Sequence, residues 1–251
     1  MMSVEAKRDE FVKLVREYEE QDCIEYIAKH DGFYNAVLDY DYGDVCKSDM
    51  LQMVCMRGLN RVAIALINKK CDLIYQDMDG WSAIMCASYK GLHDVVKLLI
   101  DNITDHTTRI SFTGLSEIMH VCISNDVDNT LKMIDCGYDI YYKSNINNTC
   151  YQSLFTVAIY HEVEKIVYRL LDTDICFADE FNILYHNPTR EKTEIYNNIM
   201  KYCQNIRNTY KQRIIATIND ASSGNTLHYA FRNIYAIELV DIICDFIILK
   251  T

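Results

Sequence analysis

Apolar residues return along this chain at helical intervals, in short bursts separated by polar turns. From Asp9 to Ala28, Phe11, Leu14, Val15 and Tyr18 fall on one helical face, and Ile24 and Ile27 on the face of a second helix. The clearest burst runs from Asp79 to Asp101, DGWSAIMCASYKGLHDVVKLLID. It predicts a turn at Gly80, a short helix with small residues at Ala83, Ala87 and Ser88, a stop at Gly91, and a second helix whose inward stripe is Val95, Val96, Leu98 and Leu99. Ser82 is placed to cap the first helix, and the small side chains allow close helix approach. Such a pair cannot bury its apolar face alone, so similar units should flank it.

They are present. Thirty-three residues before Gly91 stands Gly58, with Leu51, Val54 and Cys55 on a first helix and Val62, Leu66 and Ile67 on a second. Gly114 to Asp139 fits with one inserted residue, placing Ser116, Ile118, Val121 and Cys122 on the first helix and Asn125, which tolerates a left-handed backbone, at the stop. From about Asn148 a fourth unit uses Ser153 to Ala158 and then Ile166, Val167, Leu170 and Leu171, with Glu162 at the stop. Near the end, Gly224 to Ala230 (GNTLHYA) opens another unit, followed by an apolar helix over Leu239 to Phe246. In between, Phe181 to Tyr185 and Glu191 to Cys203 read as a worn helix pair around Pro188, and Ile206 to Ile218 as a separate helical pattern with no place in the register.

The best unit closely resembles an ankyrin repeat, D-x-x-G-x-T-P-L-H-x-A-A-x-x-G-H followed by V-V-x-L-L-L. Ser82-Ala83-Ile84-Met85 stands where TPLH would and Gly91-Leu92 where Gly-His would, so the Pro and both His are missing. The resemblance implies an all-α, ankyrin-repeat solenoid of about six to seven helix pairs with degenerate caps at both ends. Its single domain, 1–251, divides into an N-terminal cap (1–44), repeats at 45–76, 77–110, 111–147 and 148–178, a degenerate stretch (179–220) and a C-terminal repeat or cap (221–251). It also implies protein partners held by hairpin tips and inner helices along a concave groove. Carried over repeat by repeat, the groove positions are Met56 and Arg57; Met78, Asp79, Trp81, Tyr89 and Lys90; Phe112, Thr113, Leu115, Ile123 and Ser124; and Tyr160 and His161. Trp81 and Phe112 either face a partner or pack against neighbouring hairpin tips.

Composition narrows the function. The 251 residues are 50% hydrophobic, enough to bury a core. A formal charge of −11 argues against nucleic acid as a partner, and no stretch is apolar enough to enter a membrane. Eleven scattered Cys without C-x-x-C spacing indicate reduced thiols, and Cys55, Cys86 and Cys122 read as compact apolar groups. Nucleotide-binding, metalloprotease, nucleophile-elbow, kinase and EF-hand motifs are missing. No catalytic residue, metal site or cofactor is expected. His93, His120 and His228 sit where hydrogen bonds to turns or adjacent helices are their ordinary role.

Charge is uneven. Met1 to Asp44 holds 5 basic and 12 acidic side chains, read as a solvated cap, whereas Arg190 to Arg213 holds 6 basic and 2 acidic, a solvated face or the seat of an acidic partner. The reading is a monomeric, cytoplasmic, non-catalytic protein-interaction scaffold. Usage of Ile, Asn, Lys and Tyr fits an AT-rich genome and a viral or pathogen protein acting in a host cytoplasm. Two rivals stand beside it: an adaptor recruiting ubiquitin-ligase machinery through the C-terminal helix, which faintly resembles F-box-like segments, and an enzyme with a cryptic Cys/His site.

Overall fold

Each repeat begins at a short polar N-cap residue, whose side chain accepts a backbone N–H in three of the four. In the computed structural model, Asp49, Ser82, Ser116 and Ser153 are the N-cap residues of α3 (Met50–Met56), α5 (Ala83–Tyr89), α7 (Glu117–Ile123) and α9 (Leu154–Tyr160), at intervals of 33, 34 and 37 residues. Asp49 with Gln52, and Ser153 with Thr156, form reciprocal capping boxes. Ser82 Oγ accepts from the Met85 N–H, whereas Ser116 makes no cap bond. The described residues are 2–17, 19–38, 47–145, 153–186, 193–222, 224–231 and 240.

Each of these helices ends the same way. Gly58, Gly91, Asn125 and Glu162 take left-handed backbone, φ between 57° and 76°, and the next residue's N–H reaches back five residues, Leu59 to Val54, Leu92 to Ala87, Asp126 to Val121 and Val163 to Ala158. The chain then reverses into α4 (Asn60–Asn68), α6 (His93–Asn102) and α8 (Val127–Asp135). The N-terminal pair is α1 (Val4–Glu17) and α2 (Glu20–Lys29).

Contacts divide the chain into two units, Met1–Val163 and Glu164–Thr251. In the first, α3, α5, α7 and α9 stack in order as one layer and α2, α4, α6 and α8 as another, with each first helix of the middle repeats packed on its own second helix. Among the described residues there are helices and no β-strand, and the fold is all-α. Leu51, Val54, Cys55, Ile84, Met85, Ala87, Ile118 and Val121 are buried between layers.

The second unit contains α10 (Glu164–Thr173), α11 (Cys176–Tyr185), α12 (Glu194–Asn219) and α13 (Thr226–Phe231). Here the sequence reading needs correcting. From Glu194 on, the two patterns that end at Cys203 and run from Ile206 to Ile218 are one continuous helix of 26 residues, because nothing between Cys203 and Ile206 breaks it. Leu239 to Phe246, on which the adaptor reading rests, lies outside the described residues except for Val240, which is buried. So do Pro188 and Tyr18.

Two stripes are also rotated from expectation. Leu98 is only half-buried, and the buried set of α6 is Val95, Val96, Leu99 and Ile100. In the N-terminal pair, Leu14 and Ile24 are half-buried, while Val12, Cys23 and Tyr26 join Phe11, Val15 and Ile27 in the core.

Candidate functional site

The loop before α5 is fixed by one carboxylate. Asp77 Oδ1 accepts the N–H groups of Asp79 (2.9 Å) and Trp81 (2.8 Å), and the Asp77 N–H donates to the Trp81 carbonyl (3.0 Å). Gln52, buried in α3, donates from its amide to the Trp81 carbonyl at 2.7 Å. On the other side, the Phe112 N–H donates to the Asp79 carbonyl at 2.7 Å. Gly80 (φ 73°) lies so close to the next loop that a Cβ there would meet the Ile110 carbonyl oxygen at 2.3 Å. Successive loops are therefore stitched together by main-chain contacts, which is why this position demands glycine.

On that frame Trp81 is half-buried. Its ring meets Tyr89 edge-on (5.9 Å between centroids) and tilts against His120 (5.0 Å), so it lies in neither the core nor open solvent. Lys90 Nζ sits 5.2 Å above the Tyr89 ring. His120 Nε2 is 3.0 Å from Ser111 Oγ, and Ser88 Oγ donates to the His120 carbonyl while meeting Ser124 Oγ at 2.8 Å. Burial lowers the His120 pKa to about 4, keeping the ring neutral near pH 7.

Beneath the loops lies a polar node that the sequence reading does not contain. Glu117, first residue of α7, accepts from Ser82 Oγ at 2.5 Å and from the Arg109 guanidinium at 3.0 Å; Arg109 also donates to the Asp105 carbonyl at 2.8 Å. Both charged partners are buried, and burial raises the Glu117 pKa despite these donors. The node joins the cap of one repeat to the start of the next. Glu117 stands where the repeat pattern has Pro, and that departure was the available clue.

Among the proposed groove residues, Met56, Met78, Tyr89, Phe112 and Tyr160 are exposed, Met78, Tyr89 and Phe112 by nearly two-thirds. Lys90 is exposed, and Arg57, Asp79, Thr113, Ile123, Ser124 and His161 are half-buried. Leu115 departs from expectation: it is 7% exposed, turned inward as its carbonyl accepts from the Ser111 N–H. Trp81 and Tyr89 come together with His120; Tyr160 pairs instead with His161 (5.6 Å). Ile110 and Tyr141, also exposed, extend the apolar surface on the loops and were missed because they precede or follow the repeat pattern's marked positions.

Cys55, Cys86 and Cys122 are buried, and burial raises the Cys55 thiol pKa and pushes that of Cys122 to about 12, which disfavours the nucleophilic thiolate. His93 Nδ1 pairs with Asp126 (2.7 Å) and His228 Nδ1 with the Ile218 carbonyl (2.9 Å). Among the described residues no three His, Cys, Asp or Glu side chains are placed to hold a metal ion, and no helix is long and apolar enough to cross a membrane.

The family model for ankyrin repeats matches residues 15–110 in three copies. No curated protein matches the chain.

Proposed function

Because ankyrin repeats occupy residues 15–110 and such repeats are generally protein–protein interaction modules, we propose that this chain is a non-catalytic scaffold that binds a partner protein on the side bearing Trp81, Tyr89 and Phe112. The observation that carries this reading is the run of exposed large apolar side chains, Met56, Met78, Tyr89, Phe112 and Tyr160, on consecutive repeats around half-buried Trp81. Apolar surface of that extent is costly to leave in water unless it is used, and Trp and Tyr are enriched among interface hot spots. The loops that present it are already held by Asp77, Gln52 and the Phe112 N–H, so association costs little ordering entropy. In this reading the protein acts as a monomer, in a host cytoplasm if it comes from a virus or pathogen.

Replacing Trp81 and Tyr89 together by Ala tests the assignment. The variant should melt within a few degrees of the parent, since neither ring is in the core, and should lose partner capture from a cell lysate. A folded variant that captures as before would move the interface to another face.

A further inference from the structure

We infer that this side is shaped to hold an acidic amphipathic helix, an inference that rests on its being the partner-binding side. The four stacked helices α3, α5, α7 and α9 are each seven residues long and end on Met56, Tyr89, Ile123 and Tyr160. Each of those apolar residues is followed at the C-cap by Arg57, Lys90, Ser124 or His161. Two parallel rows result, one apolar and one cationic or neutral, with no carboxylate in either.

Spacing selects the conformation of the occupant. Neighbouring packed helices lie about 8–10 Å apart, so the apolar rungs recur at about that interval. A helix rises 1.5 Å per residue, and residues seven apart return to nearly the same face about 10.5 Å further on. A β-strand covers the distance in about three residues, which sends successive contacts to opposite faces.

Charge selects its composition. The chain carries a formal charge of −11, yet the row beside the apolar rungs holds Arg57 and Lys90, so an acidic flank on the occupant finds its complement here. Cations at these positions also offset the helix dipole, but that role makes no use of the adjoining apolar row and would not discriminate between peptides.

The test uses the intact protein and a synthetic peptide of about 22 residues with Leu at three positions seven apart, Glu flanking them and Ala elsewhere. Binding is read by the fluorescence of Trp81, the only tryptophan, and by calorimetry. The acidic peptide should bind at least about tenfold more tightly than the same peptide with Lys for Glu, with the advantage shrinking at high salt. Arg57→Glu with Lys90→Glu should invert the preference; the comparison of peptides on the unchanged protein needs no variant to fold. Equal affinity for both charges, tighter binding of the basic peptide or of a proline-rich peptide of the same apolar and acidic spacing, or no binding at all would each overturn the inference. Loss of lysate capture on Trp81→Ala/Tyr89→Ala with no acidic-helix binding would keep the interface and remove the helix.

Discussion

His120 shows how one side chain can bind a pH dependence into the loops. Its ring is held against Trp81 and Ser111 with no carboxylate among the contacts described, so burial alone lowers its pKa, from 6.5 to about 4. Between those values the unfolded chain takes up a proton that the folded chain refuses, and stability therefore rises with pH. The contribution is complete above about pH 6.5 and is lost as the pH falls toward 4, on the order of 2 kcal/mol once partial exposure is discounted. Asp49 runs the other way: burial pushes its pKa up to about 7, so its ionisation weakens the fold as pH rises. The readout is therefore the difference between the parent and His120→Gln in urea midpoint. That difference should shift steadily against the parent from pH 7 to pH 4.5; a constant difference would remove His120 as the cause.

At the scale of the helix pair, the left-handed stop closes all four first helices, α3, α5, α7 and α9, and is filled by Gly in only two of them. Glu162 at φ 57° bears a steric cost that Gly91 at φ 68° avoids. Glu162→Gly should raise stability by about 1 kcal/mol, and Gly91→Ala, where a Cβ meets nothing within 4 Å, should lower it by about the same. Equal and negligible shifts in melting temperature would mean the stops relax freely. The first-helix stripes, the Ser82 cap and these stops were legible in the sequence because they follow from side-chain size and backbone preference. The Glu117–Arg109 node was not, since Arg109 lies in a loop and nothing local marks it as buried. Leu98 and Leu115 were misplaced for a related reason. A repeat pattern fixes which residues are apolar, but the rotation of each helix depends on its neighbours. Similarly, the unity of α12 was hidden because a polar run without Gly or Pro looks like a boundary only when hydrophobic bursts are counted.

For the molecule as a whole, stacking makes stability a matter of neighbours: each repeat adds its own term and an interface term. In the first unit α5 is packed by α3, α6 and α7, and Ala83 to Ser88 are all buried. In α1 only Phe11, Val12 and Val15 are buried, anchored by the Phe11–Phe33 ring contact at 5.0 Å. Within the second unit, the buried residues of α12 end at Cys203, and every described residue from Gln204 to Asn219 is half-buried or exposed. Native-state hydrogen exchange should consequently be slowest in α5 and α7, at least about tenfold faster in α1, and faster in the second half of α12 than in its first. Exchange in α1 as slow as in α5 would mean that the first unit opens as one block. The repeats would then be coupled more strongly than nearest-neighbour stacking allows, and a partner bound across Met56 to Tyr160 would stabilise α1 as much as the helices it touches.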